Sequence, residues 1–339
     1  MALIEFTEKG FYCREADVFI DPSRPVKKAL ITHGHSDHAR TGHGQYLCAE
    51  ASVGIIRQRL GKNIAITGQT WGEPLTINGV RFSFHPAGHI AGSAQIRVEY
   101  RGEIWVVTGD YKTQTDPVSE PFEPVRCHSI ITESTFALPV YQWQPGEVIA
   151  AEINQWWQET RDSGELAILA GYSLGKAQHL LALLDPSIGP IIVHPVIHDM
   201  NQVIAGKERL FPEYRVLEPE MDHKATRGAL LLAPPGSVGN EQLDRFRPFR
   251  TAMASGWMAV RRSSNRVTMD RGFVLSDHAD WAGLNLAIRE SGAHQVLVTH
   301  GYTEIFSRWL REQGYDARAI GHKVRSEETP DDGTQNPGL

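Results

Sequence analysis

Hydrophobic and polar residues alternate in short runs along the first part of the chain, and these runs predict β-strands. Residues 81–84 and 96–100 alternate apolar and polar side chains, as in a strand with one buried face. Residues 104–108 and 129–132 are apolar almost throughout, which predicts strands buried on both faces. The turn residues Arg101-Gly102 between two of these segments predict a hairpin.

From about Val140 the pattern changes to alternating helix and strand. Residues 147–164 and 175–185 carry apolar side chains at helical spacing, and apolar strand-like segments follow each of them. This spacing places Trp156 and Trp157 in a core rather than against nucleic-acid bases, whereas Trp257 remains a candidate for base stacking. After Ser255-Gly256 we expect the chain to return to the first domain. The predicted organisation is therefore a first domain in two parts (1–138 and 256–325), an inserted domain (139–255) and a disordered tail (326–339).

Composition is that of a globular protein. The chain has 339 residues, of which 41% are hydrophobic and 22% charged. No stretch has the length and apolarity of a membrane span, and the first residues lack the pattern of a signal peptide, so we expect a cytoplasmic protein without a membrane partner. Cys13, Cys48 and Cys127 are widely spaced and form no CxxC pair, which favours buried free thiols over disulfides or a thiolate zinc site.

The formal net charge of -6 argues against a protein that grips nucleic acid through a uniformly basic surface. It leaves room for a local groove, because bound metal ions can supply the positive charge that faces a phosphate.

The feature that carries most chemistry is a recurrence at strand ends. Six apolar runs each end on a residue that can bind metal or transfer a proton. Strand ends are rigid while the loops that follow are exposed, so such side chains can converge on one edge of a sheet. The residues are Asp21, His33, Asp110, Glu133, Asp277-His278 and His300.

The run HGHSDHA offers four of the ligands within six residues: His33, His35, Asp37 and His38. Imidazole and carboxylate ligands together suit zinc, manganese or iron and can support two ions. The alternative is a polar loop that is rich in histidine by chance, and the ligand-type residues at other strand ends argue against it.

Two further residues extend this set. His89 lies among small residues that leave space for a metal, although alone it is a weak signal. Asp110 follows a buried run at a glycine, where a carboxylate could bridge two metals. A turn aspartate is the alternative for Asp110, and the recurrence at strand ends favours the ligand.

Local sequence leaves His278 and Lys176 open. His278 beside Asp277 could act as a proton donor at a helix start, or be a surface histidine at that start. Lys176 opens a helix that could offer backbone amides to an anion, but a glycine-rich helix start is more often plain capping.

These motifs resemble a known family. HxHxDH, a later GH and TGD, in this order, resemble the metallo-β-lactamase fold, an α/β fold built as a four-layer αββα sandwich with a dinuclear site. Five further segments resemble its β-CASP branch of nucleases, which has an inserted α/β domain. They are TEST at 132–135, GYSLGKAQ at 171–178, SGW at 255–257, SDHAD at 276–280 and VTHGYTE at 298–304.

The resemblance covers nearly the whole chain to about residue 325. Other segments resemble the bacterial ligase-associated DNA exonucleases, which are related to DNA crosslink-repair nucleases. These segments are GFYCREADVFIDP, GHGQYL, PFEPVRC and DRGFVLSDHADW.

The resemblance implies a role for each matching residue. It implies two divalent ions, zinc with manganese as the alternative. One ion would be held by His33, His35 and His89 and the other by Asp37, His38 and His300, with Asp110 bridging. Asp21 would orient the HxHxDH loop, and Glu133 with His278 would be the acid/base pair. Lys176 and Ser255-Gly256 would lie along the substrate phosphates.

The implied activity is metal-dependent DNA exonuclease activity in DNA repair, acting from 5′ single-stranded ends. Two metals would activate a water for attack on the phosphate, and His278 would protonate the leaving 3′-oxygen. A functional association with a DNA ligase and a helicase is also implied. His300 departs from the DNA-acting members, which typically have an apolar residue there, and matches the RNA-acting members.

An RNA-processing nuclease of the same fold is therefore the main alternative. A small-ester or thioester hydrolase is a second alternative, and a metal-bound scaffold without activity is a third.

Overall fold

The structure is a computed structural model that describes residues 2–204, 211–238, 241–260 and 269–321. The chain divides into two compact units. The first unit contains the described residues up to Gln142 and those from Asp277 onward, and the second contains those from Trp143 to Ser276.

Two sheets form the first unit. In the first sheet the strands follow chain order, antiparallel from β1 to β3 and parallel from β3 to β6. Its strands are β1 (Glu5–Thr7), β2 (Gly10–Cys13), β3 (Val18–Ile20), β4 (Lys28–Leu30), β5 (Gln45–Ala49) and β6 (Ile66–Gln69). The second sheet has the order β19-β18-β11-β10-β9-β8-β7. Its strands are β7 (Leu75–Ile77), β8 (Val80–Pro86), β9 (Ala94–Tyr100), β10 (Glu103–Val107), β11 (Ser129–Ser134), β18 (Gln295–Gly301) and β19 (Asp316–Ala319).

Apolar side chains of the first unit form three buried clusters that account for its layers. One cluster joins residues of both sheets, such as Ile20 and Phe84. A second joins the other side of the first sheet to α1 (Val53–Leu60). The third joins the other side of the second sheet to α7 (Trp281–Ser291) and α8 (Thr303–Glu312).

The second unit is built on one parallel sheet with the order β14-β13-β15-β12-β16-β17. Three of its strands are apolar throughout, and separate buried clusters cover both faces of the sheet. The strands are β12 (Leu166–Ala170), β13 (Ile191–Val193), β14 (Arg215–Val216), β15 (Leu230–Ala233), β16 (Phe249–Ala254) and β17 (Arg271–Phe273). The helices are α2 (Gly146–Asp162), α3 (Lys176–Leu183), α4 (Pro195–Ile204), α5 (His223–Thr226) and α6 (Glu241–Asp244).

Several sequence predictions can be compared with these elements. The α/β class and the hairpin at Arg101-Gly102 are confirmed, and Trp156 and Trp157 are buried in the core that α2 shares with the sheet. The predicted domain boundary after 255 falls between β16 and β17, which pair in one sheet, so the second unit continues to Ser276. The predicted disordered tail lies outside the described residues. Within the described part of the chain, no helix is both long and apolar enough to cross a bilayer.

Candidate metal centre

The HxHxDH loop follows β4, as the strand-end pattern predicts. Ile31 still pairs with β5, and the chain then turns so that the amides of His38 and Ala39 both donate to the carbonyl of His35. This turn brings the side chains of one short loop toward a common centre.

Four side chains form the first ligand group: His33, His35, His89 and Asp110, whose ligand atoms lie within 4.8 Å of one another. The Nδ1 atom of His35 is 3.2 Å from Nε2 of His33 and 3.0 Å from Nε2 of His89. Such a convergence of imidazole nitrogens is the geometry of a metal site, because one cation can accept lone pairs from all of them.

The protonation of His89 supports this interpretation. Its Nδ1 lies 2.8 Å from the carbonyl oxygen of Asp277, which can only accept, so Nδ1 carries the proton and Nε2 presents a lone pair. Burial, together with neighbouring histidines, holds the pKa of His89 and of His33 well below the ordinary value. Both rings are therefore neutral, as ligands must be.

The second ligand group consists of His33, Asp37 and His38. The Nδ1 atom of His38 donates to Asp21 over 2.8 Å. Its buried Nε2 has no hydrogen-bond partner among the described residues, and the nearest carboxylate oxygens of Asp37 and Asp110 are 3.4 and 3.5 Å away. Burial opposes a charge on His38, but the carboxylates of Asp37, Asp110 and Asp21 raise its pKa well above the ordinary value. The carboxylates of Asp37 and Asp110 thus stabilise positive charge beside Nε2, as a cation site requires.

Asp110 lies between the two groups. Its Oδ2 is 3.7 Å from Nε2 of His33, 3.5 Å from Nε2 of His38 and 3.9 Å from Nε2 of His89. Burial would raise the pKa of Asp110, but His38 and the other histidines hold it well below the ordinary value. Asp110 is therefore an ionised carboxylate in a position from which it could contact both ions.

Together these donors fit divalent metal. Imidazole nitrogens with carboxylate oxygens suit zinc or manganese. The buried Nε2 of His38 has no hydrogen-bond partner among the described residues. It lies 3.4 and 3.5 Å from carboxylate oxygens of Asp37 and Asp110, so an ion could lie between these atoms.

Glu133 and His278 form a third cluster with Asp110. The Nδ1 atom of His278 is 3.1 and 3.0 Å from the two carboxylate oxygens of Glu133, and the amide of Tyr111 also donates to Glu133. Burial would lower the pKa of His278, but Glu133, with Asp110 and Asp277, raises it to about 9. This is the geometry of a charged pair, so His278 can hold a proton at neutral pH.

His278 does not begin a helix as predicted, because α7 begins at Trp281 with Asp280 as its cap. His278 lies in the connecting segment before α7.

The remaining predicted site residues lie outside the three clusters described above. His300 is exposed at the end of β18, with its ring centroid 5.5 Å from that of His38, and it belongs to none of the ligand groups that the described residues form. Lys176 and Ser255-Gly256 lie in the second unit, where they follow the carboxyl ends of the adjacent parallel strands β12 and β16.

Sequence reasoning missed two side chains that hold the loop. Thr32 is fully buried and contacts Asp21 and His33, and the Arg59 side chain of α1 donates to the carbonyls of Gly34 and Ala39. The position of Thr32 directly before His33 was a usable signal. For Arg59 there was none, since its partners are about 20 residues or more away in sequence.

Gly88 shapes the loop that carries His89. Its φ is +76°, and a Cβ at this position would lie 2.2 Å from the carbonyl oxygen of Lys112. Gly102 has a similar φ of +85° but nothing within 4 Å of its Cβ position. Substitution of Gly102 therefore measures the energetic cost of a positive φ without a steric clash.

We expect Gly102→Ala to lower the free energy of unfolding by about 1–2 kcal/mol. Gly88→Ala should cost about 1–3 kcal/mol more because a backbone atom must move. Denaturant unfolding of both variants measures the difference, and equal losses would contradict the close approach.

No protein-family model matches the chain, but individual proteins are similar to it. A protein named "Probable DNA ligase" from Opitutus terrae is 35% identical over 319 residues, which cover 92% of this chain and 30% of that protein. "Endoribonuclease YSH1" from Yarrowia lipolytica is 25% identical over 190 residues, covering 46% of this chain and 23% of that protein. The chain thus spans less than a third of the length of either relative.

Among solved structures, a protein of unknown function from Enterococcus faecalis V583 has a similar fold. The TM-score is 0.58 at 11% identity, over 87% of this chain and 79% of that one. This likeness concerns the fold alone.

Proposed function

We propose that this chain is a metal-dependent nuclease that hydrolyses DNA from single-stranded 5′ ends during DNA repair. The observation that carries the proposal is the convergence of His33, His35, His89 and Asp110 beside the pair Asp37 and His38. Nuclease activity is further supported by the name of the Yarrowia relative.

In the proposed architecture, the first unit is the metallo-β-lactamase domain. Its order of helix, sheet, sheet and helices supports a four-layer αββα sandwich. The second unit would be the β-CASP domain, with Lys176, Ser255 and Gly256 along the substrate phosphates. Their position after the carboxyl ends of parallel strands, where open α/β sheets bind ligands, supports this role.

Two divalent ions, zinc or manganese, would supply Lewis acidity at the scissile phosphate and a water of lowered pKa. The chain's own residues do the rest. Asp110 holds negative charge between the two ligand groups, and Asp21 fixes His38. Glu133 keeps His278 protonated, so that His278 can donate a proton to the leaving 3′-oxygen. In this proposal His300, at the exposed end of β18, would complete the ligands of the second ion.

DNA is favoured as substrate by the Opitutus protein. Nearly the whole chain matches a part of a protein named as a DNA ligase, so a nuclease of this kind would act where ends are trimmed before joining. A separate ligase is therefore the proposed functional partner. A helicase partner rests on the family resemblance alone.

RNA is the second candidate substrate, since the Yarrowia relative is named an endoribonuclease and His300 matches the RNA-acting pattern. Strands of the same sequence, as DNA and as RNA, labelled at either end, distinguish the two. Metal-stripped protein would be supplied with zinc or manganese, with the Asp110→Asn variant in parallel.

We expect 5′ label on DNA to be released at once in short products, while 3′-labelled DNA shortens gradually. Cleavage of RNA with DNA intact would move the proposal to an RNA nuclease. Full activity in the stripped protein would overturn the metal centre.

A further inference from the structure

The Thr32 hydroxyl lies at the junction of the two ligand groups. Its Oγ1 is 2.6 Å from Oδ2 of Asp21, 3.1 Å from Nδ1 of His33 and 3.4 Å from Nδ1 of His38. Thr32 is fully buried, so no water competes for these contacts. The hydroxyl is thus close to His33, which belongs to both ligand groups, and to His38, which belongs to the second.

The proton positions follow from donor and acceptor chemistry. An ionised carboxylate can only accept, so at 2.6 Å the hydroxyl donates its one proton to Asp21. The hydroxyl oxygen is then left as an acceptor for His33, which places the His33 proton on Nδ1. His38 likewise donates from Nδ1 to Asp21, over 2.8 Å. Both rings therefore carry a proton on Nδ1 and turn Nε2 toward Asp110.

We propose that Thr32 is a positioning residue for metal binding, whose hydroxyl selects the tautomer of His33 and links it through Asp21 to His38. This inference rests on the proposed metal centre and names a residue that acts on it through its ligands. Histidine ligands bind metal more tightly when their other nitrogen donates to a fixed partner.

The backbone fixes the hydroxyl in this place. The Thr32 amide donates to Oδ1 of Asp21 over 2.8 Å, and the Thr32 carbonyl accepts from the amide of Ala94 over 2.8 Å. On its other side the Thr32 side chain packs against Gly109, where a Cβ would lie 2.7 Å from the threonine Cβ and Oγ1. The glycine before Asp110 thus makes room for the Thr32 side chain.

The test is zinc affinity, measured by competition with a chromophoric chelator, without nucleic acid. Thr32→Val keeps the shape and removes the hydroxyl, whereas Thr32→Ser keeps the hydroxyl and removes the methyl group. We expect Thr32→Val to weaken zinc binding by about 10- to 100-fold, and Thr32→Ser to bind as the wild type does. Circular dichroism of the metal-free variants checks that each is folded.

The wild-type protein offers a second measurement that needs no folded variant. Nitrogen NMR of the histidine rings in the zinc-loaded protein should place the His33 proton on Nδ1. A proton on Nε2, or equal zinc affinity of Thr32→Val and wild type, would overturn the role of Thr32. Loss of affinity in Thr32→Ser as large as in Thr32→Val would overturn the role of the hydroxyl. A wild-type protein that binds no zinc would instead overturn the metal centre itself.

Discussion

Replacing Asp110 by asparagine is expected to lower hydrolysis of nucleic acid by about 1000-fold or more. Asparagine keeps the size of the side chain but removes the negative charge that lies 3.5–3.9 Å from three imidazole nitrogens. Metal ions contribute several kcal/mol to the stabilisation of a phosphoryl transition state, and about 1.4 kcal/mol corresponds to tenfold in rate. Weaker binding of even one ion therefore has a large effect. Initial rates on labelled strands and metal content by elemental analysis, measured on the same samples, check both parts of the prediction.

Asp17→Asn is the matched control for this change. Asp17 is an exposed aspartate of the same unit outside the ligand groups, and asparagine tolerates its positive φ of 53°. This control should keep its activity and metal content. An Asp110→Asn variant that keeps two ions and wild-type rates would show that Asp110 does not bridge them.

Most of this centre could be predicted from sequence because its ligands are local features of strand ends. His33, His35, Asp37 and His38 lie in one loop after β4, so their proximity needed no knowledge of the fold. The predicted strand 96–100 lies within β9 (Ala94–Tyr100), and the sharp turn at Arg101-Gly102 made the hairpin predictable.

What could not be predicted depends on contacts between residues far apart in sequence. The carbonyl of Asp277 fixes the tautomer of His89 across 188 residues, and a backbone carbonyl leaves no mark in the sequence. The boundary after 255 was misplaced for a similar reason. The composition of the short strand β17 does not indicate which of the two domains it belongs to. Its pairing with β16 places it in the second unit.

His300 illustrates the same limit. The family pattern implies a ligand, whereas its side chain is exposed and outside the ligand groups of the described residues. Its backbone, with a φ of 51°, is held by a hydrogen bond from the Ser134 hydroxyl to its carbonyl. The role of His300 therefore stays a prediction.

Replacing Glu133 by glutamine is expected to move the alkaline limit of nuclease activity to lower pH. Activity at pH 8 should fall by about 100- to 10,000-fold. A proton donor acts in its protonated form, so activity falls as pH rises through the pKa of His278. That pKa is about 9 because Glu133 outweighs the effect of burial, and bound cations would bring it down from there. Glutamine removes the charge, and burial then lowers the pKa of His278. Rates measured from pH 6 to 10 in wild type and variant reveal the shift.

The Glu133–His278 pair should also make the stability of the fold depend on pH. Since the pKa of His278 in the folded protein is above its ordinary value of 6.5, the ion pair stabilises the fold fully below about pH 6.5, and this contribution is lost as pH rises through about 9. Unfolding of the metal-free protein should therefore depend on pH across this window in wild type and much less in Glu133→Gln.

Glu123→Gln is the matched control, because Glu123 contacts His85 over 3.0 Å at an exposed position outside the ligand groups. It should leave both the rate profile and this window unchanged. A Glu133→Gln variant with the wild-type alkaline limit would show that another group donates the proton.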